Sequence, residues 1–188
     1  MSTEEWRTIE VNDNYMISNM GQVLNSMTNT LLKPLDNGTH FQVALCRNGE
    51  QIKYCIHKLV AQAFLENPNN YEFVDHINRD GYDNRVENLR LCTHQQNMRN
   101  RTKRENTGSK YKGVDWHKRT NKWRARINPS GKSIHLGLYI SEIDAALVYN
   151  YFSTKLFKEF AVINEGLPQE YTEYVSKRIK DLELKHSL

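Results

Sequence analysis

Asp75 and His76 stand side by side in the stretch FVDHINRDGYDNRVENLRLCTHQQNMRN, and asparagines follow at 84, 88, 97 and 100. These side chains have the parts that hydrolysis of a phosphodiester needs. Oxygen donors hold a hard divalent cation, an imidazole takes a proton from water, and amides keep a loop in shape. If a strand carrying Asp75 packs on a helix carrying Asn97, the two can meet at one metal ion while His76 faces the attacking water. Taken singly, an acid–histidine pair at a strand end is more often a turn feature, and a helical asparagine usually faces solvent. The combination points to a site.

Positioning these groups requires a strand through Asp75-His76, a polar NRDG loop, a second strand around Leu89 to Cys92, and a helix N-capped by Thr93. Asn97 then lies one turn inside the helix, with His94 three residues earlier on the same face. Upstream, IHKLVAQAFL has apolar residues at helical spacing and begins with His57, which reads as structural. Further upstream, YMIS, QVLNS, FQVALC and QIKYCI read as short strands, and Asn48-Gly49 is a hairpin signal between the last two.

The order Asp75-His76, Asn88 twelve residues after the histidine and Asn97 nine later resembles the His-Asn-His (HNH) nucleases, in the His-Asn-Asn form of phage and intron-encoded homing endonucleases. HKLVAQAF and DHINRDGYDNRVENLRLCTHQQN are similar to that subfamily almost throughout. The resemblance implies a ββα-metal unit in which Asp75 and Asn97 bind one divalent cation. His76 would be the general base, and Asn88 would tie the loop to the backbone. With asparagine as the last member of the motif, magnesium or manganese suits the oxygen set better than zinc. EEWRTIE, YMISNMGQVLNS and LLKPL resemble a short module found ahead of such nucleases, with no catalytic residue assigned to it.

Charge is uneven along the chain. Residues 99–139 hold 12 Lys or Arg against 2 Asp or Glu, whereas residues 1–75 hold 5 against 9. A concentrated positive segment releases counterions on meeting phosphates, so it favours double-stranded DNA as partner over a small metabolite. Its first part, RNRTKRENTGS, reads as a basic linker containing Arg101 and Lys103. The next part reads as three strands, YKGVDWH, KWRARIN and SIHLGLY, with turns at Thr120-Asn121 and Pro129-Ser130-Gly131. Trp123, Ala125 and Ile127 would face a core and Arg124, Arg126 and Asn128 the outside. Ile134, Leu136 and Leu138 would face inward and His135 outward. A helix capped by Ser141 with Asp144 follows, and an amphipathic helix from Pro168 to about Leu184 would bury a stripe through Tyr171, Tyr174, Val175, Ile179 and Leu182. YKGV, KWRARI, HLGLY and AVINE resemble the plant ethylene-response-factor type of DNA-binding domain. That resemblance suggests Lys112, Arg124, Arg126 and His135 as DNA contacts.

The expected fold class is α+β: a β module at 1–52, a ββα nuclease at 53–100, a linker at 101–108, a three-stranded sheet with a helix at 109–165 and a terminal helix at 166–188. No apolar run is long enough to span a membrane, the start MSTEEWRTIE is not a signal peptide, and Cys46, Cys55 and Cys92 read as buried, reduced thiols; a cytosolic location is expected. The function expected is site-specific DNA cleavage, one strand per site by a monomer, with a double-strand break requiring a dimer or a second binding event. The rival is a DNA-binding regulator that keeps the nuclease fold only as scaffold.

Overall fold

The computed structural model describes residues 3–101 and 108–186. The chain forms two compact units, Met1–Asn97 and Met98–Leu188.

The first unit opens with an antiparallel sheet of β1 (Trp6–Thr8), β2 (Tyr15–Ser18), β3 (Val23–Asn25) and β4 (Thr30–Leu31). A second antiparallel sheet joins β5 (Leu35–Asp36), β6 (Phe41–Arg47) and β7 (Glu50–Cys55). Asn48 and Gly49 adopt φ of 53° and 83°, the left-handed pair that a two-residue hairpin needs between β6 and β7. Helix α1 (Ile56–Phe64) starts where β7 ends and buries Ile56, Leu59 and Val60. These side chains pack in one core with Ile17, Val23, Val43, Leu45 and Leu89. The strands of residues 1–52 and the nuclease segment therefore share a single hydrophobic core, because α1 buries its apolar stripe against both.

The rest of this unit is the strand–loop–strand–helix that the motif spacing predicts. β8 (Phe73–His76) pairs antiparallel with β9 (Leu89–Cys92), and α2 (His94–Asn100) follows. Thr93 caps that helix reciprocally with Gln96: the Gln96 amide donates to the Thr93 hydroxyl at 3.2 Å, and the Thr93 amide donates to the Gln96 side chain at 2.8 Å. Residues 99 and 100, read as the start of a linker, are the last turn of this helix. Cys92 is buried, Cys55 half-buried and Cys46 exposed. Cys46 departs from expectation because it is near the turn of the β6–β7 hairpin.

In the second unit β10 (Val114–His117), β11 (Lys122–Ile127) and β12 (Ile134–Tyr139) form an antiparallel sheet in that order, packed on helix α3 (Glu142–Phe157). The YKGV glycine is required here. Gly113 has φ of 75°, and a Cβ there would lie 1.9 Å from Cδ2 of Tyr149 on α3. Ser141 caps α3 by accepting from the Asp144 amide. On β12 the expected alternation holds only to Leu136. The register shifts opposite Ala125/Arg126, and Gly137 takes φ of 128°, so Tyr139 is fully buried and Leu138 turns outward. The last helix, α4 (Glu173–His186), begins later than predicted, where the Thr172 hydroxyl accepts from the Val175 amide. Val175, Ile179 and Leu182 are buried as expected, but Tyr171 precedes the helix and both it and Tyr174 are exposed. No described helix is long and apolar enough to cross a membrane.

Candidate hydrolytic site and nucleic-acid interface

The β8–β9 ladder sets Asp75 opposite Arg90 and His76 opposite Leu89. Both site residues are buried, Asp75 to 5% and His76 to 6% exposure. Arg90 donates to Asp75 Oδ2 from Nε at 2.9 Å and from Nη2 at 2.7 Å, two charge-assisted bonds to one carboxylate oxygen. Sequence reasoning missed this arginine. The only signal was register: pairing the two expected strands places it across from Asp75.

His76 ends β8, and the chain turns immediately after it. The Ile77 amide donates to Asn88 O, and the Arg79 amide donates back to His76 O. Asn88 closes the loop between β8 and β9. Buried itself, it accepts from the Asn78 amide at 2.9 Å and donates from Nδ2 to Asp83 O at 2.8 Å, bridging both sides of the loop. Asn84 is a further buried member that sequence reasoning left without a role: its Oδ1 lies 3.4 Å from His76 Nε2, while its Nδ2 donates to Tyr82 O. An amide oxygen accepts only, so this contact favours the tautomer with the proton on Nε2.

Asn97 lies in the first turns of α2, where its backbone N–H donates to Thr93 O at 3.1 Å. Asp75 lies near enough to the Cys92 thiol to act on its charge. Burial first, and the Asp75 carboxylate second, push that thiol up to about 11, so it stays protonated and is a poor metal ligand. Among the described residues no group of three or more His, Cys, Asp or Glu is arranged to hold a metal. A cation at this site would rest on one carboxylate and one amide. That is a sparse, hard, all-oxygen set, suited to an ion that keeps water and substrate phosphate among its ligands. His94 is exposed, its ring 5.1 Å from that of Phe73.

Two more imidazoles surround His76. The ring centroids of His40, His57 and His76 are 4.8–5.5 Å apart pairwise. His57 is buried and its Nδ1 has no hydrogen-bond partner among the described residues. Burial, then the charges of His76, His40 and Lys58, push its pKa down to about 3, so it adds no positive charge beside His76. The sign for stability follows. Unfolded His57 binds a proton below about pH 6.5 and folded His57 does not, so the fold loses stability as pH falls from there toward 3. The expected slope is about 1.4 kcal/mol per pH unit at most. Urea midpoints between pH 7 and 4.5 should fall for wild type and fall less steeply for His57→Gln.

On the second unit, the outer face of the sheet carries Arg124, Arg126 and His135 around an open cleft of about 330 Å³ that Leu138 also lines. The two arginines converge on Asp115, across β10: Arg124 approaches Oδ1 at 2.8 Å, and Arg126 approaches Oδ2 at 2.9 Å. This acid, not singled out from sequence, cancels part of the face's charge. His135 is exposed, and its pKa is lowered by partial burial of the ring and by neighbouring cations, Arg124 foremost. Lys112 does not join this group. Its ammonium donates to the carbonyls of Arg99 and Arg101 at 2.5 and 2.6 Å. Arg101 is exposed, and Lys103 lies outside the described residues.

Comparison with known proteins bears on the first unit. Three uncharacterised HNH endonucleases of Acanthamoeba polyphaga mimivirus are 40%, 39% and 36% identical over 48%, 51% and 50% of this chain. The matches span 28%, 25% and 47% of those relatives' own lengths. A chain from a structure of DNA binding and cleavage by the HNH homing endonuclease I-HmuI is 28% identical, with a TM-score of 0.48 over 51% of this chain and 56% of that one. Residues 54–99, the segment from the end of β7 through α2 that carries Asp75, His76, Asn88 and Asn97, match the sequence model of the HNH endonuclease family.

Proposed function

We propose that this protein is a site-specific DNA endonuclease of the homing type, hydrolysing one strand at the Asp75/His76 site. The observation that carries the reading is the buried Asp75-His76 pair at the end of β8, tied by Asn88 and followed by α2, inside the segment that matches HNH endonucleases. Asp75 and Asn97 would hold one divalent cation, magnesium or manganese, which when bound supplies charge to polarise the scissile phosphate and stabilise the leaving oxygen. His76 Nδ1 takes the proton from water. Asn84 keeps the ring in the competent tautomer, and Asn88 keeps the loop closed. The products carry 5′ phosphate and 3′ hydroxyl. One such site serves one strand, so a monomer nicks.

Binding comes from the basic face of the second unit with Arg101 and Lys103. Because Asp115 already offsets Arg124 and Arg126, substitutions here have opposite signs. Arg124→Ala or Arg126→Ala should weaken duplex binding and lower the slope of log K against log salt by about one phosphate contact. Asp115→Ala should strengthen non-specific binding. Fluorescence anisotropy across a salt series reads both, and unchanged slopes in both arginine variants would remove this face from the interface.

The reading is tested with a supercoiled plasmid carrying the DNA that flanks the gene. Metal-dependent relaxation by wild type, stopped by chelator, is expected. Metal-independent binding without cutting would instead establish a DNA-binding regulator.

A further inference from the structure

We infer that His40 is a second catalytic imidazole of the hydrolytic site, holding the attacking water while His76 deprotonates it; the inference rests on the endonuclease reading above. His40 sits in the β5–β6 turn, a segment to which no catalytic residue has been assigned, yet its ring centroid is 5.5 Å from that of His76. Of the three clustered imidazoles it alone reaches solvent, since His57 and His76 are both buried.

Two features show that this placement is built. The turn is locked by its own side chains: Asn37 Oδ1 accepts from the Thr39 amide, the His40 amide and the Thr39 hydroxyl at 2.8–3.0 Å. It is also held against the site loop. The Tyr82 hydroxyl donates to Asp36 at 3.1 Å, the Phe41 and Tyr82 rings meet at 4.8 Å, and Gly81 approaches so closely that a Cβ there would lie 2.3 Å from Thr39 O. The same Cβ would be 3.2 Å from His40 Cδ2 and 3.4 Å from Nε2, so the glycine packs directly beside this ring.

The hydrogen-bond network sets the tautomer. Because the Thr39 hydroxyl gives its hydrogen to Asn37, it can only accept from His40 Nδ1, 2.9 Å away. Nδ1 is therefore protonated and Nε2 carries a lone pair, to which no described residue donates. A water between the two imidazoles gives one proton to His76 and one hydrogen bond to His40 Nε2, which aims its oxygen at phosphorus. The P–O bond to water forms and the bond to the 3′ oxygen breaks. The departing oxygen takes a proton from solvent, and His76 later releases its own.

The test is single-turnover plasmid cleavage with magnesium by wild type, His40→Ala and His40→Phe, with urea midpoints and DNA affinity measured alongside. His40→Ala should lose about 10- to 100-fold in rate with DNA affinity unchanged. Added imidazole should restore part of the His40→Ala rate, pyrrole of the same shape but without a basic lone pair should not, and neither should help His40→Phe. A wild-type rate in His40→Ala, or equal rescue by pyrrole, overturns the assignment and leaves the endonuclease reading standing. A wild type that leaves the plasmid intact overturns both.

Discussion

His76→Ala should retain duplex affinity and lose cleavage by about 10²- to 10⁴-fold, the contribution of a positioned general base. The separation is expected because the groups proposed to bind DNA lie on the second unit, whereas the imidazole is buried at the end of β8 in the first. His76→Ala also removes one ring from the packed cluster with His40 and His57, so its urea midpoint must be measured. A variant that unfolds at the wild-type denaturant concentration, binds plasmid and does not relax it isolates the chemistry. Equal losses of binding and cutting would place His76 in the scaffold.

The second large effect concerns the carboxylate. Asp75→Ala removes the carboxylate that Arg90, its side chain only 16% exposed, donates to, and removing one member of a buried pair costs about 3–5 kcal/mol. Stability and cleavage should therefore fall together, and neither loss alone reveals the role of Asp75. Removing both charges separates them. Asp75→Asn with Arg90→Met should recover most of the stability, because replacing a whole buried ion pair is often close to neutral. Its cleavage should stay down by more than about 100-fold if the carboxylate is also a metal ligand. Recovery of cutting in the double variant would reduce Asp75 to a structural partner of Arg90. The ion pair also implies that free protein binds magnesium weakly, since Asp75 is already neutralised and DNA phosphate must supply further charge.

The candidate site was legible because its parts lie in one short stretch whose period and turn residues set a strand, a loop, a strand and a helix. Asp75 and His76 lie on β8 and Asn97 on α2, as their neighbours' pattern predicts, whereas Asn88 ends a short 3-10 turn, Val86–Asn88, in the segment read as loop. What escaped were contacts made across the fold. His40 reaches His76 only because two loops dock on a glycine, and local periodicity carries no trace of that. Arg90 needed the ladder register, and Asp115 needed a second strand beside the arginines. On β12 an extra residue, Leu136 ahead of Gly137, reversed the alternation, turning Leu138 toward the basic face where an inward position was expected. Lys112 shows another limit: a basic residue in a DNA-binding-like motif is spent here on two backbone carbonyls.

The central claim is that Asp75 and Asn97 share one cation next to His76. Crystals of His76→Ala bound to duplex DNA with manganese would locate the ion directly by its anomalous scattering. One peak is expected about 2–2.4 Å from a carboxylate oxygen of Asp75 and from Asn97 Oδ1, with a phosphate oxygen completing it. Manganese bound to DNA elsewhere, with both side chains outside its coordination shell, would contradict the account.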